Sequence, residues 1–203
     1  QWDDIFAGCT EQVPDFSKAG SFRKLGQVDV DVATEAEIER TNKFMGSSSL
    51  LWVNPLAEAG LIKEGESVIA FCDYDFEPND PVYAMGPLAG AKILQRETMA
   101  EMKQRYNVRT VRICYPAMGT TALGAIPGGT LMYALTAQIL KERGQYQTLE
   151  ELAAASIQLF KAPEPESELR VDVAYQECLP EFHARKDGLT ADNFLEAFAH
   201  LYS

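Results

Sequence analysis

The sequence has few basic residues and very few histidines. Eighteen lysines and arginines stand against 30 aspartates and glutamates in 203 residues, which gives a formal net charge of −12. A surface this acidic repels phosphate backbones, and no run of basic residues offsets it, so we expect no nucleic-acid partner. His183 and His200 are the only histidines. Two histidines are too few for most zinc sites, so we expect no metal.

Paired cysteines and targeting signals are also missing. No C-x-x-C pair is formed by the four cysteines, Cys9, Cys72, Cys114 and Cys178. A chain of this size has no need of disulfides, so we expect reduced thiols in a cytoplasmic protein. No basic-plus-apolar signal peptide follows Gln1, and the lack of an initial methionine suggests a processed chain or a piece of something longer.

A long uncharged run, residues 113–140, could be mistaken for a membrane span. It is interrupted by two prolines and several glycines, Pro116, Gly119, Gly124, Pro127, Gly128 and Gly129. A lone lipid-exposed helix tolerates such residues badly, so we expect no membrane span. The run is better explained by a buried strand, a loop and a buried helix.

The segments that are present alternate between strand and helix patterns. Two apolar, β-rich runs, 67–72 and 108–115, predict buried strands. Helices are predicted at 34–46, opened by a capping box of Thr34 and Glu37, and at 50–61, 87–106, 130–143 and from 148 to before Pro163. This alternation predicts an α/β fold with a parallel sheet. Because two parallel strands are not self-sufficient, either residues 1–30 hold further strands or the sheet is completed elsewhere.

A tyrosine and a lysine nine residues apart form the most informative pattern. Tyr83 can act as a general acid only if its pKa of about 10 falls towards neutrality, which a nearby ammonium favours. Gly86 and Pro87 place Tyr83 on a loop and Lys92 in the second turn of the following helix. Both side chains can then reach the carboxyl edge of the sheet, where open α/β sheets bind ligands. The alternative is a buried loop tyrosine and a surface lysine.

Two other stretches carry weaker signals. The glycine-rich loop 118–129 follows a predicted strand, and its backbone N–H groups could hold an anion or a carboxamide. It contains no dinucleotide or P-loop fingerprint, and the alternative is a connection kept small for packing. The acidic stretch 73–80 could bind a hard cation, but it lacks the calcium-loop glycine and terminal glutamate, so we expect a solvated loop.

The order and spacing of several motifs resemble one known family. They run from about residue 33 to the C-terminus and include Ala33-Thr-Glu-Ala-Glu-Ile-Glu-Arg-Thr, Leu51-Trp, Leu56-Ala-Glu-Ala-Gly, Gly90-Ala-Lys, Ala125-Ile-Pro and Lys141-Glu-Arg-Gly. Together with Tyr83-x8-Lys92, they resemble the FabV-type trans-2-enoyl-CoA/ACP reductases. The Tyr-x8-Lys pair is that family's signature within the short-chain dehydrogenase superfamily.

The resemblance implies a function and a set of site residues. Tyr83 would donate a proton to the enolate oxygen of an enoyl-CoA or enoyl-ACP thioester in fatty acid metabolism. Lys92 would hold the ribose of the cofactor, NADH, and lower the pKa of the tyrosine. Thr120 would lie beside the nicotinamide. A second family tyrosine falls on Asp73, and the adjacent Tyr74 is a candidate substrate-binding residue.

The resemblance also implies a fold and its division. It predicts part of a Rossmann-like, short-chain-dehydrogenase-type parallel sheet with extra C-terminal helices. Residues 1–162 would form the catalytic α/β portion, an incomplete Rossmann-like unit, and residues 163–203 a C-terminal helical segment.

Some features of the sequence depart from that family. Its N-terminal half, with the glycine-rich dinucleotide loop, does not appear. Met45-Gly-Ser-Ser-Ser-Leu replaces Met-Gly-Gly-Glu-Asp-Trp, and Gly128-Gly129-Thr130 replaces an apolar stretch that contains proline. Two possibilities follow: a reductase that needs its N-terminal half or a complementing subunit, or a non-catalytic remnant or subunit of such a reductase.

Overall fold

The computed structural model describes residues 7–9, 25–27, 32–75, 87–120, 123, 128–161, 167–190, 193 and 196. Their strands are β1 (Ala7–Cys9), β2 (Leu25–Gln27), β3 (Val68–Tyr74), β4 (Arg109–Tyr115) and β5 (Glu168–Arg170). Their helices are α1 (Glu35–Thr41), a π-helical turn (Asn42–Gly46), α2 (Ser48–Glu58), α3 (Pro87–Tyr106), α4 (Gly129–Glu142), α5 (Leu149–Phe160) and α6 (Val173–Asp187).

The chain forms two compact units, each assembled from separate segments. The sheet unit comprises Asp31–Cys114 and Ala155–Arg170, and the helical unit comprises Gln1–Val30, Tyr115–Ala154 and Val171–Ser203. The boundary that we predicted between residues 162 and 163 falls within 162–166, outside the described residues, and stays a prediction.

The sheet unit is built on three strands in the order β3-β4-β5. β4 lies in the centre and pairs in parallel with β5, with Ile113 opposite Leu169. The α1 helix, the π-helical turn and α2 all pack against α3. The apolar cluster of this unit consists of Val53, Phe71, Met99, Met102 and Val108. This arrangement confirms the predicted α/β class.

Local signals placed most helix boundaries correctly. Thr34 and Glu37 form the predicted capping box, in which the N–H of Thr34 donates to the Glu37 carboxylate at 2.8 Å. The predicted helix over 87–106 is confirmed at both ends. At the C-terminus of α4, Gly144 adopts a φ of 65°, a left-handed conformation that glycine adopts without strain.

Two predictions about strands were wrong. β3 continues to Tyr74, so Asp73 lies inside the strand rather than in an acidic loop. β5 (Glu168–Arg170) forms where the sequence predicts no strand. Its sequence, Glu-Leu-Arg, has one apolar residue, and the strand forms because that residue, Leu169, is buried beside β4.

The N-terminal strands β1 and β2 do not complete the parallel sheet. β1 and β2 pair antiparallel, with Gly8 opposite Gly26, and form a two-stranded sheet of their own. The three-stranded sheet therefore gains no strand from them.

The helical unit explains the long uncharged run. Helix α4 is buried along most of its length and packs against α6. The ends of the two helices are joined by ion pairs, Arg143 to Glu181 at 2.7 Å and Arg185 to Glu142 at 2.5 Å. Among the described residues, no helix combines the length and the apolar character that crossing a membrane requires.

Gly46 provides a test of the packing between the π-helical turn and α3. A Cβ atom at Gly46 would lie 2.7 Å from Cδ2 of Leu94. We expect Gly46→Ala to lower the free energy of unfolding by about 1–3 kcal/mol, because the helix must move away. Urea denaturation measures this. Gly90→Ala is the control, because its Cβ would meet only the Asn42 side chain at 3.8 Å. Equal free energies of unfolding for Gly46→Ala and Gly90→Ala would contradict the close contact between Gly46 and Leu94.

Candidate functional site

Three charged side chains meet inside the sheet unit and form what we call the charge triad: Asp73, Lys92 and Arg112. Asp73 lies near the end of β3, and its side chain is 0% exposed. Its Oδ1 accepts a hydrogen bond from Nζ of Lys92, and its Oδ2 accepts one from Nε of Arg112 at 2.7 Å. The backbone N–H of Tyr74 donates to Oδ1 at 2.8 Å. One buried carboxylate is therefore held by two cations and a backbone amide.

Further ion pairs connect the triad to all three strands of the sheet. Arg112, in the middle of β4, donates to Glu168 of β5 at 2.8 Å and to Asp75 at 3.1 Å. Arg170, the last residue of β5, donates to Asp75 at 2.7 Å. Buried charges are tolerated when they are paired and hydrogen-bonded in this way. The network fixes the carboxyl ends of β3 and β5 on either side of β4.

The surroundings of Asp73 and Arg112 favour the ionised form of both side chains. Burial opposes ionisation of Asp73, but the hydrogen bonds and charges of Lys92 and Arg112 outweigh it and lower its pKa. Burial likewise opposes the charge on Arg112, but the hydrogen bond and charge of Asp73 raise its pKa above the ordinary value. The sheet edge thus carries a buried carboxylate that favours its ionised form, beside a guanidinium that stays charged.

Lys92 can bind a further group. Its side chain is 13% exposed. An ammonium has three N–H donors, and Asp73 is the one acceptor that the described residues provide for it. Two donors remain for a hydroxyl or an anion at the carboxyl edge of the sheet. Lys92 is therefore not the surface lysine of our alternative interpretation.

The other predicted site residues are placed differently. Tyr83 lies outside the described residues, so the Tyr83–Lys92 pair stays a prediction. Tyr74 ends β3 and is half-buried, with its backbone bonded to Asp73. Thr120 is exposed, in the loop that follows β4, and belongs to the helical unit.

Thr120 lines a cavity of about 200 Å³ inside the helical unit. Tyr133, Tyr146, Leu152 and Tyr175 also line it. The hydroxyls of Tyr133 and Tyr146 are 3.1 Å apart, and burial together with this contact raises the pKa of Tyr133. The phenol of Tyr133 therefore stays neutral at physiological pH, and the cavity offers apolar surface with two hydroxyls.

One group of acidic side chains has the spacing of a metal site. The ligand atoms of Asp75, Cys114 and Glu168 lie within 4.8 Å of one another. The carboxylates of Asp75 and Glu168 already accept hydrogen bonds from Arg112 and Arg170. Because these arginines compensate both charges, we propose no metal site here.

The ion pair of Asp73 and Arg112 was not predicted from the sequence. Arg112 is a charged residue in the middle of an apolar strand, and Asp73 directly follows another apolar run. A buried strand that contains a charge requires a partner of opposite sign. That signal could have paired the two residues before the structure was known.

Comparisons with known proteins agree on one family. Residues 10–161 match the family model of the trans-2-enoyl-CoA reductase catalytic region. The NADH trans-2-enoyl-CoA reductase of Clostridium perfringens strain 13 is 27% identical over 181 residues, which cover 83% of this chain and 46% of that protein. The NADH enoyl-[acyl-carrier-protein] reductase of Xanthomonas campestris pv. campestris strain 8004 is 31% identical over 135 residues, 62% of this chain and 33% of that protein.

A solved structure shares the fold. The crystal structure of Treponema denticola trans-2-enoyl-CoA reductase in complex with NAD matches 86% of this chain and 46% of its own, with a TM-score of 0.73 and 20% identity. This likeness confirms the Rossmann-like α/β fold. The chain spans about half the length of this structure and less than half of the two curated relatives.

The lowered pKa of Asp73 predicts how stability depends on pH. A carboxyl whose pKa is depressed on folding stabilises the protein above its unfolded pKa, and the effect is lost as the pH falls through the folded value. We expect Asp73→Asn to lower the free energy of unfolding by about 3 kcal/mol at neutral pH, because two buried cations lose their counter-charge. The difference from wild type should narrow between about pH 4 and pH 2, as the wild-type carboxyl is protonated.

Urea denaturation of both proteins across this pH range measures the difference. Asp187→Asn is the control, because the side chain of Asp187 is exposed at the end of α6. If the difference in free energy of unfolding between Asp73→Asn and wild type stays constant down to pH 2, the prediction that Asp73 is ionised in the folded protein is wrong.

Proposed function

Because this chain belongs to the trans-2-enoyl-CoA reductase family, we propose that it carries the proton-donating part of an enoyl thioester reductase. The reaction is the reduction of the trans-2 double bond of an enoyl-CoA or enoyl-ACP with NADH. The supporting observation is that the lysine of the Tyr83-x8-Lys92 signature lies at the carboxyl edge of the sheet, with its ammonium held by the buried Asp73.

Each proposed site residue has a separate task. Tyr83 donates a proton to the thioester enolate oxygen, and Lys92 favours that transfer by stabilising the phenolate that remains. Thr120 contributes a hydroxyl beside the nicotinamide, and Tyr74 contacts the acyl thioester. The chemistry that NADH supplies when bound is the addition of a hydride to the β-carbon of the substrate.

The residues present fit one end of this cofactor. Two N–H donors of Lys92 remain for the hydroxyls of a ribose. For the pyrophosphate, the sequence offers no glycine-rich fingerprint after a strand. We therefore propose that the dinucleotide loop is supplied by the other half of the family fold or by a complementing subunit.

An exposed apolar face supports the proposal of a partner polypeptide. Leu51, Trp52, Pro55 and Leu56 are exposed on α2, at positions that share one side of a helix. Leu51 and Trp52 are 64% and 74% exposed. Contiguous apolar surface of this kind marks sites of association.

Three further assignments belong to this proposal. We propose that the reductase acts in fatty acid metabolism, in the cytoplasm, and as a member of the short-chain dehydrogenase superfamily. The second possibility, a non-catalytic remnant or subunit, accounts for the missing glycine loop but gives no role to the two remaining donors of Lys92.

A substitution at Tyr83 tests the catalytic proposal. We expect a fusion that places the remaining half of the family fold before this chain to oxidise NADH in the presence of crotonyl-CoA. Tyr83→Phe should reduce kcat at least about 100-fold and leave NADH affinity within about twofold, because only the proton-donating hydroxyl is removed. Steady-state absorbance at 340 nm and a binding titration measure the two effects. Near-normal turnover of Tyr83→Phe would contradict the role of this residue.

The apolar face of α2 provides a second test. We expect the 203-residue chain alone to associate at micromolar concentration and to bind NADH negligibly. Replacing Leu51 and Trp52 with glutamine should restore a monomer, because the apolar surface that drives association is removed. Sedimentation velocity measures the association, and Val173→Gln, an exposed apolar residue on α6, is the control. A wild-type chain that is monomeric throughout would contradict the proposal.

A further inference from the structure

The side chain of Lys92 needs an anchor if it is to serve a reaction. A lysine has four flexible methylene bonds, and its ammonium is a point charge without preferred direction. Lys92 projects from the second turn of α3 into the end of the sheet. Its direction there is set by the hydrogen bond to Oδ1 of Asp73.

Asp73 is itself fixed from two directions. Oδ2 accepts from Nε of Arg112 at 2.7 Å, and Oδ1 accepts from the backbone N–H of Tyr74 at 2.8 Å. Arg112 is fixed in turn by Glu168 of β5. A continuous series of charge-assisted hydrogen bonds therefore runs from the backbone of the sheet to the Lys92 ammonium.

We propose that Asp73 is a positioning residue for Lys92. Its buried carboxylate orients the ammonium so that the two remaining N–H donors point at the ligand site. Lys92 is thus anchored by a buried charge. The consequence for catalysis depends on the proposed function, whereas the positioning itself does not.

Selective labelling of lysines tests the positioning without any turnover. The full chain is treated briefly with an amine-acetylating reagent, and the acetylation of Lys92 relative to Lys63 is measured by peptide mass spectrometry. Lys63 is the internal reference because its side chain is 72% exposed. We expect Asp73→Asn to raise the Lys92:Lys63 ratio at least about fivefold, because the side chain of Lys92 is no longer bound to a carboxylate and reaches solvent.

Two further variants make this result specific. Asp75→Asn removes a carboxylate that Arg112 also binds but leaves the Asp73–Lys92 pair in place, so the ratio should stay at the wild-type value. Asp73→Glu keeps the carboxylate but displaces it by one methylene, so we expect a ratio between those of wild type and Asp73→Asn. An unchanged ratio in Asp73→Asn, or an equal increase in Asp75→Asn, would overturn the proposal.

A folding defect is distinguished in the same experiment. If Asp73→Asn unfolds the chain, the buried Cys114 also becomes reactive towards a thiol reagent. The test then rests on Asp73→Glu in the folded state, where displacement of the carboxylate by one methylene should raise the Lys92:Lys63 ratio at least about twofold. A ratio identical to wild type in that variant would overturn the proposal.

The active fusion described above separates this inference from the proposed function. There we expect Asp73→Asn to raise the KM for NADH and to leave the KM for crotonyl-CoA unchanged, because the ligand that Lys92 would bind is the cofactor. A fusion without reductase activity would contradict the proposed function and leave the labelling result intact. A KM for NADH unchanged by Asp73→Asn would overturn the catalytic consequence of the positioning.

Discussion

The carboxylate of Asp73 is the group on which the sheet unit depends. A charge that is wholly removed from water destabilises a fold unless it is paired, and here two cations and a backbone amide compensate it. Its partners come from three elements, β3, β4 and α3. Each pair therefore also fixes how those elements lie against one another, and the apolar cluster beneath them packs within that frame.

The same arrangement explains how a helix lysine reaches the sheet edge. In a parallel sheet the carboxyl ends of the strands lie together, and the side chains that end β3 and β5 meet around Arg112 of β4. Lys92 enters this group from α3 and keeps two of its donors. Lys92 thus belongs both to the charge triad and to the candidate ligand site.

The two units place different kinds of chemistry in different parts of the chain. The sheet unit holds the charged groups at the strand ends, whereas the helical unit contains a small cavity lined by tyrosines and apolar side chains. The exposed apolar side of α2 belongs to the sheet unit. In the function proposed above, this face would contact a partner polypeptide.

The sequence alone determined the features that depend on neighbouring residues. The capping box of Thr34 and Glu37, the helix from Pro87 to Tyr106 and the apolar strand of β4 are encoded in short windows, because local hydrogen bonds and periodic burial decide them. The family motifs likewise singled out Lys92, whose role in a site stays a prediction.

Only the tertiary structure decided where the isolated charges and short strands go. Asp73 was assigned to a solvated loop because its partners are 19 and 39 residues away, and no local window contains them. The sequence does not predict β5, because Glu168-Leu169-Arg170 has no strand pattern of its own and forms a strand by pairing with β4. In both cases the stabilising contact joins residues distant in sequence, so it forms only when the chain folds and cannot be predicted from a short stretch of sequence.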